Sequence, residues 1–168
     1  EKQVAFGQLY NAEDASGKTW PAQMSRTGHT FDGWKSGDTW FNNTAANVSV
    51  TGNTNLTAQW TAKTFKLVFD MNGVSASLPA NQAEKEVSYG KSSTYAPIPT
   101  KTDTHDAWVF NGWAVSASAT SGATAGSTIQ AQDINMWYGE VLENGTKTLY
   151  ATWKKTLNKE QPERGFGK

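Results

Sequence analysis

The pentapeptide Thr30–Trp34, TFDGW, returns as VFNGW at residues 109–113, and other segments return with it. VAFG (4–7) is matched by VSYG (87–90), LTAQW (56–60) by LYATW (149–153), and TAKT (61–64) resembles KKT (154–156). Matches in the same order mark a repeated unit, and internal repetition constrains the architecture before any local propensity is weighed. The spacings show where the copies differ. Gly7 to Gly33 is 26 residues and Gly90 to Gly112 is 22, whereas Trp34 to Trp60 is 26 and Trp113 to Trp153 is 40. The second copy is thus fourteen residues longer in that last connection. Its Ser/Ala/Thr/Gly tract, SASATSGATAGST (116–128), reads as a flexible surface loop holding the insertion.

The second copy also starts earlier. TFKLVFDMNG (64–73) alternates Phe65, Leu67 and Phe69 with Lys66, Val68 and Asp70, then stops at Asn72-Gly73, the pattern of a strand entering a turn. Nothing upstream of Val4 supplies a counterpart. The reading is therefore a repeat 1 over 1–61 that lacks its first strand, a repeat 2 over 65–153, and a flexible tail or linker over 154–168. Within repeat 2, strands are expected at 65–70, 85–89, 107–115 and 147–153. An extended Pro-containing segment is expected at 95–100 and a turn at 143–146. Helix is scarce, limited to a short piece near 11–15 or 130–142. An unpaired strand edge recruits other strands, so strand pairing at the edge of repeat 1 is an expected interaction.

Composition narrows the function. Fifteen basic residues balance fifteen acidic ones, which gives no electrostatic ground for nucleic acid as a partner. The chain has no cysteine, so disulfides, thiolate nucleophiles and zinc–thiolate sites are excluded together. No apolar run approaches the roughly 20 residues that span a bilayer, so this segment does not insert into a membrane as a helix.

The strand ending in FDMNG, then VSYG, then the aromatic Phe-Asp/Asn-Gly-Trp box, then LTAQW or LYATW, resembles the Listeria–Bacteroides repeat, the internalin B-repeat of bacterial surface proteins. GHTFDGW (28–34) stands where that family usually has Gly-Tyr-Thr-Phe-x-Gly-Trp. The resemblance implies an α+β, mostly β fold of tandem β-grasp-like (ubiquitin/SUMO-like) modules. It also implies an extracellular, cell-surface or secreted location and a role as stalk, spacer or adhesive surface. Partners would be a host or neighbouring-cell surface protein or a glycan. The family carries no catalytic residues and no cofactor, so neither is carried over, and the chain is read as a non-enzyme. The long insertion in repeat 2 departs from the family pattern.

Individual residues are weighed against that frame. Trp34, Trp60, Trp113 and Trp153 hold equivalent positions on alternating strands and are read as core anchors. A Trp that buries about 200 Å² contributes on the order of 5 kcal/mol. Gly33 and Gly112, between Phe and Trp, mark a bulge or a close backbone approach. Trp40 and, beside the insertion, Trp108, Trp137 and Tyr138 are candidate ligand-binding aromatics. If exposed they would stack on sugar rings, which makes a carbohydrate-binding module the second functional reading. Trp20 is a further aromatic outside the repeated pattern. His29 reads as a partly exposed strand residue, and Asp103, His105 and Asp106 as a polar turn rather than metal ligands, so no metal site is assigned. Glu13-Asp14 and Glu84/Glu86 lack the apolar setting that would raise a carboxyl pKa for acid catalysis. Lys66 and Asn111 are a conceivable isopeptide pair.

Overall fold

The computed structural model describes residues 24–41, 51–102 and 107–155. The VAFG segment, the short helix near 11–15, Trp20, the Asp103/His105/Asp106 cluster and residues 156–168 lie outside the described residues. The chain divides into two compact units, Glu1–Lys63 and Thr64–Lys168.

In unit 1, β1 (His29–Ser36) folds back through Gly37-Asp38 into β2 (Thr39–Phe41), with Ser36 opposite Thr39. A two-residue hairpin loop needs positive φ, which Gly37 supplies at 55°. β3 (Thr57–Ala62) lies antiparallel on the other side of β1, and the sheet order is β2-β1-β3. Among the described residues β3 is an edge strand.

Unit 2 begins with β4 (Thr64–Asp70), followed by the two-residue β5 (Ala76–Ser77) and by β6 (Glu84–Ser88). Short β7 (Ser93–Thr94) and β8 (Thr100–Lys101) flank the extended Pro97–Pro99 segment. β9 (Trp108–Ala114), β10 (Thr128–Ile129), helix α1 (Ala131–Val141) and β11 (Thr146–Lys155) complete it. Its main sheet has the order β6-β4-β11-β9. The central pair β4–β11 is parallel, and both outer pairs are antiparallel. The chain is α+β and mostly β, with one helix among the described residues.

The alternation along β4 gives the sheet its buried face. Phe65, Leu67 and Phe69 are all buried, while Lys66 and Asp70 are exposed. From the neighbouring strands Val87, Leu149, Ala151 and Trp113 join the same core. α1 closes it with Ile134, Trp137 and Tyr138, and Val141 packs alongside. These four sit at i, i+3, i+4 and i+7, one stripe of a helix. The helix ends at Leu142, whose N–H donates to the Tyr138 carbonyl at 2.8 Å with φ at 61°.

Two expectations are corrected here. The tract 116–128 is tied to the sheet instead of forming a flexible loop. Ala123 and Trp113 exchange backbone hydrogen bonds of 2.9 and 2.7 Å, and Gly126 N donates to Ala96 O. Thr128 and Ile129 then pair with β7. Small residues permit this, because the backbones touch: a Cβ on Gly122 would lie 2.3 Å from Trp113 O. The second correction is that β11 runs on to Lys155, two residues into the expected tail.

Candidate functional site

The repeated Phe-x-Gly-Trp box is a β-bulge in both units. In unit 1, Phe31 opposes Trp60 and Trp34 opposes Ala58, so Asp32 and Gly33 together face Gln59 alone. In unit 2, Phe110 opposes Trp153 and Trp113 opposes Ala151, so Asn111 and Gly112 face Thr152 alone. On a regular strand, residues three apart project from opposite faces. The extra residue cancels that alternation and turns Phe and Trp to the same side. The glycine carries the distortion, with φ of 135° at Gly33 and 111° at Gly112.

The result is the same aromatic trio twice. Phe31 meets Trp34 and Trp60 at centroid distances of 5.6 and 5.1 Å; Phe110 meets Trp113 and Trp153 at 5.2 and 5.8 Å. The polar atoms of the unit 2 trio are satisfied. Trp113 Nε1 donates to Ala96 O and Trp153 Nε1 to Met71 O, each at 2.9 Å. The buried Thr152 hydroxyl donates to the Gly112 carbonyl at the bulge, also at 2.9 Å. In unit 1, Trp34 and Trp60 are half-buried, and the buried Nε1 of Trp34 has no hydrogen-bond partner among the described residues.

The candidate ligand aromatics do not converge. Trp137 and Tyr138 are buried in the core, at 3% and 9% exposure, so neither offers a face to a sugar. Tyr138 packs on Phe65 and Tyr89 instead, at 6.3 and 5.4 Å. This corrects the surface role their place beside the insertion suggests; the helical spacing of Ile134, Trp137, Tyr138 and Val141 is the sequence signal that accounts for it. Trp108 is half-buried opposite Lys155, whose Nζ stands 4.9 Å from the ring centroid. Trp40 is 42% exposed opposite Lys35, with Nζ at 5.6 Å. In both cases a cross-strand lysine sits over the indole, as cation–π attraction favours.

The remaining residues find local roles. His29 Nδ1 lies 2.9 Å from Thr27 O. Lys66 pairs with Glu84 at 3.0 Å and Asn111 Nδ2 donates to Thr120 O at 2.8 Å. β11 lies between their strands, so the isopeptide pairing does not occur. A shallow cleft of about 400 Å³ runs beside the unit 2 bulge, with Phe110, Ile98, Asn111 and Thr124 among its lining, and its lining carries no charge. Nothing in the sequence signals it, since the insertion's return to the sheet creates it. Among the described residues no group of three or more His, Asp or Glu could hold a metal ion, and no helix is long and apolar enough to cross a membrane.

No curated protein and no solved structure matches the chain. Residues 6–59 and 65–137 each match the Listeria-Bacteroides repeat domain. That repeat is typical of bacterial surface proteins and is generally a non-enzymatic module. With the bulged aromatic box present in both matched segments, the chain belongs to the Listeria-Bacteroides repeat family.

Proposed function

We propose that this chain is a non-enzymatic, extracellular repeat module that serves as a spacer in a bacterial surface protein, built from two β-grasp-like units. One observation carries the reading: the aromatic rings that both repeats share are spent on internal packing around the bulge. Small modules need such anchors to hold a core without disulfides. The parallel β4–β11 pair at the centre of the unit 2 sheet supports the β-grasp-like description. Adhesion would then belong to loops and sheet edges rather than to a deep pocket.

The test places the chain between a cell-wall anchor and a terminal epitope in a Gram-positive display host. Antibody access to the epitope should rise relative to an anchor-only fusion. A flexible linker of equal residue count is the control. Equal access for all three fusions would refute the spacer role. A glycan array probed with the chain and with Trp40→Ala tests the carbohydrate reading, which needs binding that this substitution removes.

A further inference from the structure

The insertion that lengthens repeat 2 does more than pair with the sheet. Its return past the bulge leaves the shallow cleft of about 400 Å³, lined by β9 residues, by Ile98 of the Pro97–Pro99 segment and by the inserted residues. Phe110 and Ile98 are its large apolar side chains, and Asn111, Ser121 and Thr124 are its polar ones. The half-buried Phe110 ring is held against Trp113 and Trp153, at 5.2 and 5.8 Å, so the shared aromatic box supplies a fixed element of the cleft. Ile98 is 66% exposed, which leaves a large aliphatic side chain open to a ligand. Thr120 O accepts from Asn111 Nδ2 at 2.8 Å, which orients the carboxamide.

The chemistry of this lining limits what it can take. None of its residues is charged, so a charged ligand would give up hydration there without gaining an ionic partner. An extended peptide would bind by adding a strand, but the insertion already occupies the main chain of β9 along the cleft. Gly122 N donates to Asn111 O, and Ala123 and Trp113 exchange hydrogen bonds in both directions. The polar side chains are two hydroxyls and a carboxamide, groups that both donate and accept. Hydroxyls around a ring with an apolar face are the complement of such a lining.

We propose that this cleft is a binding site for neutral pyranose sugars. Ile98 and Phe110 take the apolar ring face, and Asn111, Ser121 and Thr124 take the hydroxyls. Its volume lies near the lower end of the roughly 300–1,000 Å³ of small-molecule clefts, so it suits a terminal mono- or disaccharide unit. The site belongs to repeat 2 alone, because repeat 1 lacks the insertion. It goes beyond the spacer reading, does not depend on it and does not use Trp40.

The probes are maltose, cellobiose, lactose and N,N′-diacetylchitobiose, each titrated to millimolar concentration into the isotope-labelled full chain and followed by amide NMR. At least one should shift the amides of Asn111, Gly112, Ser121 and Gly122 in a saturable way and leave those of β4 unchanged. Thr124→Val, which removes one hydroxyl, should weaken that binding roughly fivefold. Ile98→Asp places a charge at an exposed position of the neutral cleft and should abolish it; unshifted β4 amides show that each variant is folded. The uronic acid counterpart of the bound disaccharide should bind at least roughly tenfold more weakly. The proposal is overturned if none of the four sugars gives a saturable shift, or if the shifts fall outside the cleft. It is also overturned if Ile98→Asp leaves binding intact or the uronic acid binds equally well. Epitope access in the display fusion tests the spacer reading separately.

Discussion

Gly112→Ala is the sharpest test of the bulge, because two separate costs can be worked out from the structure. The first is conformational. At φ of 111° an alanine sits in a region that L residues rarely adopt, which costs about 1–3 kcal/mol. The second is steric. The added Cβ would lie 2.4 Å from Gly122 O, 2.5 Å from Gly122 C and 2.9 Å from Ala123 O, all of them backbone atoms. The insertion must move, and the Trp113–Ala123 hydrogen bonds go with it, at about 1 kcal/mol each. Together these predict a loss of about 3–5 kcal/mol. Gly90→Ala isolates the first cost, since φ there is 76° and nothing lies within 4 Å of the added Cβ; its loss should be about 1–2 kcal/mol. Urea denaturation followed by tryptophan fluorescence gives both values. Amide exchange at Leu67 and Leu149 reports unit 2, and at Phe31 and Trp60 it reports unit 1. If Gly112→Ala costs no more than Gly90→Ala, or weakens unit 1 as much as unit 2, the close-approach argument fails.

Thr152→Val should cost unit 2 about 1–2 kcal/mol by taking the buried hydroxyl from the Gly112 carbonyl, whereas Thr61→Val, at an exposed hydroxyl bonded to Asp32, should cost far less; urea midpoints separate them. Trp137→Ala should destabilise unit 2 by about 3–5 kcal/mol and leave any glycan-array signal unchanged, because the ring is a core element. Burial, and then the Asp133 carboxylate, push the Tyr95 hydroxyl above its ordinary 10.0. The folded state therefore holds that proton more tightly than the unfolded state does. The resulting stabilisation is full below the unfolded value and is lost as pH rises through the folded one. Thermal melts across the alkaline range should show that loss in the parent chain and much less of it in Tyr95→Phe.

The parts of the fold legible in the sequence are those where period and motif agree. β4 declares itself through Phe65, Leu67 and Phe69, and the box glycines announce a backbone irregularity that the structure resolves as a bulge. The sequence of residues 130–142 admits a helix without requiring one, and the decisive signal is the stripe from Ile134 to Val141. Trp137 and Tyr138 illustrate the limit. Adjacent aromatics beside an insertion look like a surface platform until a helical period turns both toward the core. The tract 116–128 is illegible for a different reason. Composition reports that small residues are present, but not that Gly122 uses its missing side chain to lie against Trp113. Nor does sequence show that the alternation along β9 is interrupted at Asn111-Gly112, opposite Thr152, which changes face assignments across the bulge.

Because the bulge and its opposing strand form the aromatic trio by local geometry, the length of the chain between them is only weakly constrained. Joining box tryptophan to terminal tryptophan takes 26 residues in one unit and 40 in the other. On a logarithmic closure law that difference amounts to only about 0.4 kcal/mol. A lineage can thus lengthen this connection, pin it back to the sheet or reshape its outer surface with little thermodynamic resistance, while the anchor itself admits almost no change. Variation in length among repeats should therefore concentrate in the exposed part of that connection, and a surface protein assembled from such units gains room for new contacts there without altering how each unit folds.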